Sequence, residues 1–145
     1  MSLSDDLYKE IIIEHTQNPS FRGPLSVKNI SESGVNRSCG DVIELELLVK
    51  DGVIKDIGLA GQSCSICTAS GSLMAEAVAG QTLERAEAII DQFKEMLVED
   101  KEVHFPEDLE DLTALQGVRK YPVRVKCATL AWNTLEQALK TASDM

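Results

Sequence analysis

The sequence predicts an α+β fold in which about five helices pack against a small three-stranded antiparallel sheet. Two observations carry this prediction. β-Branched residues concentrate between residues 25 and 60, and apolar residues recur at helical spacing on either side of that segment. The 145 residues are enough for one hydrophobic core, so residues 1–145 are expected to form a single domain.

The expected strands are set by alternation and by one turn signal. The segment Val42–Val49 alternates in part between apolar and polar residues, and Val53–Ile57 resumes the pattern. Between them, Asp51-Gly52 is a typical two-residue hairpin turn. A further strand is expected within Ser26–Asn36. Three sequential antiparallel strands follow from this arrangement.

The expected helices are bounded by caps and breakers. Asn18-Pro19 ends the first helix, Gly80 is a favourable C-cap for the second, and Pro122 is a favoured first-turn residue for the last. The last helix is expected to place Val123 and Cys127 on its apolar side. The predicted helices are Asp6–Gln17, Ser65–Ala79, one that starts after Thr82, a short one after Pro106, and one from Pro122 to about Ala142.

Composition and charge argue against several classes of function. A net charge of −10 repels a phosphate backbone, and only 4% of the residues are aromatic, so a nucleic-acid partner is not expected. The longest uncharged stretch, Ile57–Ala75, contains three glycines and four serines and is too polar to cross a membrane. The acidic N-terminus lacks the pattern of an export signal, which predicts a cytoplasmic protein whose cysteines are thiols or metal ligands.

Three cysteines and an aspartate occupy positions that suit metal binding. Cys39-Gly40-Asp41 lies in a predicted loop, Cys64 lies where a strand gives way to a helix, and Cys127 lies early in the last helix. Three thiolates and one carboxylate are enough for a tetrahedral zinc site. The alternative is that scattered cysteines simply pack in the core. Because the sequence lacks two Cys-x-x-Cys motifs that could form a paired zinc knuckle, spacing alone favours that alternative.

Four motifs favour the metal-binding interpretation of these cysteines over ordinary core packing. In chain order, they are Tyr8-x6-His15-x3-Pro19, Cys39-Gly40-Asp41, Gly61-Gln62-Ser63-Cys64-Ser65-Ile66-x-x-Ala69-Ser70 and Pro122-Val123-Arg124-Val125-Lys126-Cys127-Ala128. Together they resemble the IscU/SufU family of iron–sulfur cluster assembly proteins, which includes the NifU N-terminal domain. The motifs span almost the whole chain.

Two departures make the chain look like the SufU branch of that family. The stretch between Cys64 and Cys127 is long and includes the acidic segment 98–117, where IscU proteins are shorter. Lys126 stands where IscU-type members carry histidine. The chaperone-recognition motif of IscU survives only as Lys120-Tyr121-Pro122-Val123-Arg124, which argues against dependence on a dedicated chaperone pair.

The resemblance implies a ligand set, a cofactor and partners. The implied zinc ligands are Cys39, Asp41, Cys64 and Cys127. The implied function is a zinc-bound sulfur acceptor that takes persulfide sulfur from a SufS-like cysteine desulfurase and passes it on to downstream assembly proteins. The chain would then be a zinc-dependent sulfurtransferase, or else a non-enzymatic scaffold that assembles a transient [2Fe–2S] cluster on the same ligands. Two further interpretations are a zinc-stabilised interaction module without chemistry and thiol redox at Cys64-x-x-Cys67.

Within this set, Cys39 is expected to be the sulfur acceptor because its glycine-flanked loop can move, whereas Cys64 and Cys127 are fixed by helices. Arg124 is a candidate for supporting the thiolates or docking the partner, although it could equally belong to a solvated basic face. Cys67 stands where the family usually has serine. A redox role, exchange into the metal site and a small core residue are all open for it, and the core residue is favoured.

Overall fold

The computed structural model describes residues 3–99 and 101–144, and the side chains of the first helix from Lys9 onward. The described residues form four α-helices, three strands and one 3-10 helix, which confirms the predicted α+β fold with about five helices. In chain order these elements are α1 (Leu3–Gln17), β1 (Ile30–Asn36), β2 (Asp41–Lys50), β3 (Val53–Ala60), α2 (Ser65–Val78), α3 (Leu83–Leu97), the 3-10 helix (Glu107–Lys120) and α4 (Pro122–Ser143).

The sheet is a simple antiparallel meander in the order β1-β2-β3. Asp51 and Gly52 both have positive φ, 56° and 74°, as the predicted two-residue turn between β2 and β3 requires. In β2, buried and more exposed positions alternate, so one face of the sheet packs against the helices. The β1–β2 pairing ends with Asn36 opposite Asp41, and this end of the sheet carries the Cys39 turn.

One aromatic contact and one hydrogen bond join α2, α3 and α4. Trp132 of α4 stacks on Phe93 of α3, with ring centroids 4.0 Å apart, and both side chains are fully buried. The indole Nε1 of Trp132 donates a hydrogen bond to Ser70 Oγ of α2 at 3.0 Å. Buried indole groups need such a partner. The contact therefore fixes α2 and α4, which carry two of the candidate ligands, relative to each other.

A polar contact holds α1 against α2. His15, which is 8% exposed, lies with Nδ1 2.7 Å from Ser72 Oγ. The backbone N–H of Ser20 donates to the same hydroxyl at 2.7 Å. The hydroxyl thus satisfies polar groups on both sides of the turn that follows α1. None of the described helices combines the length and hydropathy needed to cross a membrane.

The structure corrects three details of the predicted elements. α1 begins at Leu3, three residues earlier than expected. Of the two serines that the sequence offers as N-caps for this helix, Ser4 lies inside it and Ser2 lies outside the described residues. The segment after Pro106 forms a 14-residue 3-10 helix rather than a short one. Val123 is 57% exposed instead of packing on the apolar side of α4, because the first turn of that helix projects beyond the core.

Gly61 joins β3 to the segment that leads into α2, and its φ of +111° is unfavourable for any other residue. A Cβ atom added there would lie 2.2 Å from the carbonyl oxygen of Val42, so the backbone of β2 would have to move. Gly80 also has positive φ, +80°, but a Cβ atom there meets nothing within 4 Å.

We expect Gly61→Ala to lower the free energy of unfolding more than Gly80→Ala does. Gly80→Ala should cost about 1–2 kcal/mol because it carries only the backbone strain. Gly61→Ala adds the close approach to Val42. Urea denaturation of both variants measures the difference. Equal losses would contradict the steric explanation for Gly61.

Candidate metal centre

The segments that carry the candidate ligands meet at one end of the sheet. Cys39 lies in the turn between β1 and β2, and Asp41 is the first residue of β2. Cys64 is the N-cap of α2, and Cys127 lies in the second turn of α4. The turn is able to reverse sharply because Gly40 has a φ of +70°. Residues almost 90 positions apart in sequence are thereby neighbours.

Three of the expected ligands form a tight group. The sulfur atoms of Cys39 and Cys127 are 3.1 Å apart. These two sulfurs and a carboxylate oxygen of Asp41 all lie within 4.8 Å of one another. Cys64 Sγ lies 3.8 Å from Asp41 Oδ2 and is adjacent to the group rather than part of it. The geometry thus brings the four side chains to one place, with Cys64 at its edge.

Asp41 is the centre of the hydrogen bonds in this region. Its carboxylate is 1% exposed, so it needs partners within the protein. Oδ1 accepts a 2.7 Å hydrogen bond from the backbone N–H of Cys64, and Oδ2 accepts one from Asn36 Nδ2 at 3.3 Å. These bonds tie the start of β2 to the N-terminus of α2. The sequence analysis does not predict Asn36 as a residue of this site. The signal that could have pointed to it is an asparagine at a strand end, three residues before Cys39.

The site is half open. Cys39 and Cys64 are partly exposed, whereas Cys127 is fully buried. Burial raises the pKa of the Cys127 thiol above its ordinary value, and contacts with Cys39, Cys64 and Asp41 act in the same direction. The metal-free protein therefore keeps Cys127 as a neutral thiol. Because a metal binds the thiolate, metal binding must release a proton here.

The donor set fits a thiophilic metal. Thiolate sulfur with one carboxylate oxygen matches the ligands that Zn²⁺ takes in proteins, and cysteine thiolates also hold iron–sulfur clusters. An all-oxygen ion such as Mg²⁺ or Ca²⁺ prefers a different set of donors. Three thiols and one buried carboxylate at a common point thus fit the zinc or iron chemistry inferred from the sequence.

The comparisons with known proteins decide the family. The sequence pattern described as the NifU-like N terminal domain matches residues 7–128. The chain belongs to this family. It is 40% identical to the "Iron-sulfur cluster assembly scaffold protein IscU" of Thermotoga maritima, over 94% of this chain and 95% of the relative. It is 38% identical to the "Zinc-dependent sulfurtransferase SufU" of Bacillus subtilis, over 93% and 90% of the two chains.

Solved structures agree with this assignment. A putative iron–sulfur cluster assembly scaffold protein for the SUF system from Fervidobacterium islandicum AW-1 superposes with a TM-score of 0.82 at 32% identity, covering 94% of this chain and 98% of that one. A NifU-like protein from Brucella abortus superposes with a TM-score of 0.87 at 25% identity, covering 99% of each chain. The predicted IscU/SufU membership and fold are confirmed.

Cys67 is the cysteine of this NifU-like domain that is not proposed as a ligand. Its side chain is completely buried, and burial raises the pKa of its thiol to about 12. Its backbone N–H lies 3.5 Å from Cys64 Sγ and donates to it, which is an N-cap contact. The burial agrees with the favoured interpretation of Cys67 as a small core residue.

We expect Cys67 to resist alkylation in the folded protein, because the reactive species is the thiolate and this thiol is both buried and neutral at pH 8. Cys39 and Cys64 should react first with iodoacetamide in the metal-free protein. Peptide mass spectrometry after timed labelling measures the order. Labelling in urea, where all four cysteines should react, is the control. Rapid labelling of Cys67 under native conditions would contradict the assignment to the core.

Arg124 is exposed and lies in the first turn of α4. It lines a groove of about 910 Å³ between α1, the start of α2, the 3-10 helix and α4. Ser65, the neighbour of Cys64, lines the same groove, which therefore reaches the edge of the candidate site. Ile12 and Ile13 form part of its apolar wall. The groove thus joins an apolar and basic surface to the thiols.

Proposed function

We propose that this protein is a zinc-bound sulfur acceptor in iron–sulfur cluster assembly, with residues 1–145 acting as one domain. It takes persulfide sulfur from a cysteine desulfurase and passes it on to downstream assembly proteins. The observation that carries the proposal is the gathering of three thiols and one buried carboxylate at one end of the sheet. The similarity to a relative named as a zinc-dependent sulfurtransferase supports it.

The proposed ligands are Cys39, Asp41, Cys64 and Cys127. Bound zinc would hold the thiols as thiolates at neutral pH, although burial favours the protonated form of Cys127. The carboxylate is a harder donor than the thiolates and is held less strongly by zinc. A site with one such ligand suits exchange better than a closed site of four thiolates does.

Cys39 is the proposed acceptor because its backbone is the least constrained of the three. It lies in a turn, is partly exposed, and its N–H makes only a long 3.4 Å hydrogen bond to the carbonyl of Asn36. The other two cysteines belong to helices. The Cys39 sulfur is therefore the one able to move toward an incoming persulfide without unwinding secondary structure.

The transfer itself resembles thiol–disulfide exchange. The Cys39 thiolate attacks the terminal sulfur of the desulfurase persulfide. A new S–S bond forms on Cys39, the S–S bond of the donor breaks, and the donor cysteine leaves as a thiolate. The proton of the persulfide remains with the transferred sulfur. Atoms, charge and electrons balance, so the step needs no oxidant or reductant.

The groove beside Cys64 is the proposed docking surface for the desulfurase. Lys9, Lys120 and Arg124 line it, and these cations stand out in a protein with a net charge of −10. The side chain of Arg124 makes no hydrogen bond or ion pair with the described residues. We therefore assign it to docking rather than to support of the thiolates. Tyr121, 62% exposed, supplies apolar area of the kind that binding sites bury.

A scaffold that carries a [2Fe–2S] cluster is the second candidate. It is favoured by the similarity to relatives named as scaffold proteins, such as the IscU of Thermotoga maritima, and by the suitability of thiolates for iron. The cluster would then be cargo on the ligands proposed for zinc. Metal analysis and the visible spectrum of protein purified without oxygen separate the two candidates. A colourless protein with one zinc supports the sulfur acceptor, and a coloured one with iron and labile sulfide supports the scaffold.

We expect Cys39→Ala to abolish both stimulation of the desulfurase and persulfide formation on this protein, because the attacking sulfur is gone. Alanine production measures the first, and a mass increase of one sulfur atom measures the second. Cys67→Ser is the control and should behave as the wild type. Asp41→Ala removes a ligand but no thiol, so it separates weakened metal binding from loss of the acceptor. Full stimulation by Cys39→Ala would refute the assignment.

We expect Arg124→Glu to raise the concentration of this protein that gives half-maximal stimulation roughly tenfold, a loss of about 1.4 kcal/mol in docking. Turnover at saturation and zinc content should not change, because Arg124 does not touch the ligands. Lys140→Glu, near the far end of the same helix, makes the same charge change and is the control. Equal effects of the two variants would remove Arg124 from the docking surface.

A further inference from the structure

Asn36 is a buried polar residue at the edge of the candidate metal centre. It is the last residue of β1, lies opposite Asp41 in the register, and is 9% exposed. Both ends of its side-chain amide are used. Oδ1 accepts a hydrogen bond from the backbone N–H of Ser38 at 3.3 Å. Nδ2 donates to Asp41 Oδ2 at 3.3 Å and to Cys127 Sγ at 3.7 Å.

The orientation of this amide follows from its partners. The backbone N–H of Ser38 is only a donor, so the oxygen of the Asn36 amide must face it. The NH2 group then points at the carboxylate and the sulfur, which are both acceptors. An amide nitrogen in this position donates hydrogen bonds and does not bind a metal. Asn36 therefore contacts two proposed ligands without being a ligand.

We propose that Asn36 is the positioning residue of the metal site. Its oxygen shapes the turn that carries Cys39, and its NH2 group holds Asp41 and Cys127 at a common point. One side chain thus determines the positions of three of the four proposed ligands. The inference rests on the proposed ligand set and extends it to a residue that binds no metal itself.

The physical reason for such a residue is the crowding of negative donors. A carboxylate and thiolates repel one another at these distances, and an N–H donor between two of them offsets part of that repulsion. It also removes rotational freedom from the ligands before metal arrives. Loss of hydrogen-bonding partners of this kind costs metal affinity about 10–100-fold in other proteins.

The chain offers a matched control in Asn29, just before β1. Its side-chain amide also bonds at both ends, since Nδ2 donates to the carbonyl of Val49 at 2.7 Å and Oδ1 accepts from the N–H of Val49 at 2.9 Å. Asn29 thus joins the same pair of strands as Asn36 but contacts none of the proposed ligands. A substitution there removes equivalent bonds without touching the metal site.

The test compares metal-free wild type, Asn36→Ala, Asn36→Asp and Asn29→Ala. Cobalt ions are the first probe, because thiolate-bound Co²⁺ absorbs visible light, and zinc affinity follows by competition. We expect both substitutions of Asn36 to weaken binding of each ion about 10–100-fold and to shift the cobalt absorption bands. Asn36→Asp keeps an acceptor for Ser38, replaces the donor with an acceptor and adds a negative charge beside Asp41, whereas Asn36→Ala removes the donor without adding charge. Asn29→Ala should lose stability yet keep the wild-type affinity and spectrum.

The possible results separate the inference from the proposed function. If the wild type binds neither ion, the proposed zinc site itself fails. If the wild type binds and Asn36→Ala matches Asn29→Ala in affinity and spectrum, the positioning role is overturned while the proposed function stands. Tighter binding by Asn36→Asp would also overturn it, because an acceptor would then serve the site better than the donor does.

Discussion

A single buried carboxylate holds the ligand-bearing end of this protein together. Asp41 is shielded from water, and leaving it without partners there would cost several kcal/mol. Its 2.7 Å hydrogen bond with the N–H of Cys64 meets that need and uses one of the free donors at the start of α2. The start of β2 and the N-terminus of α2 are therefore in contact in the correctly folded protein. The proposed metal would use a junction that the fold already requires.

Packing in the helical core stabilises the contact between β2 and α2. The stacking of Trp132 on Phe93, with the hydrogen bond from Trp132 to Ser70, fixes α2 and α4 at the middle of the core. The N-terminal ends of those helices then bring Cys64 and Cys127 toward the turn between β1 and β2. The rigid parts of the site thus come from helices and the adaptable part, Cys39, from a turn. The proposed sulfur transfer would use that combination of fixed and movable donors.

Local signals in the sequence predicted most of the fold. Asp51-Gly52 and Thr82 act within a few residues, and the structure has the turn and the cap where they predict them. The convergence of the cysteines is a long-range property, and spacing alone favoured ordinary core residues. The family motifs, not periodicity, identified those positions. The role of Asn36 went unpredicted because it depends on a contact with Cys127, 91 positions away in the sequence. The exposure of Val123 went unpredicted because it depends on how far the first turn of α4 projects from the core, and no local pattern encodes that.

The stacked indole at the centre of the core has a practical consequence. The chain contains one tryptophan, and it lies where α2, α3 and α4 meet. Its fluorescence therefore reports the integrity of the helical core with no second emitter of its kind to confuse the signal. Structural changes confined to the turn between β1 and β2 should leave the wavelength of maximum emission unchanged. Separation of α2, α3 and α4 should expose Trp132 to water and shift that wavelength to the red. Trp132 fluorescence is thus an intrinsic probe of the folding of the helical core.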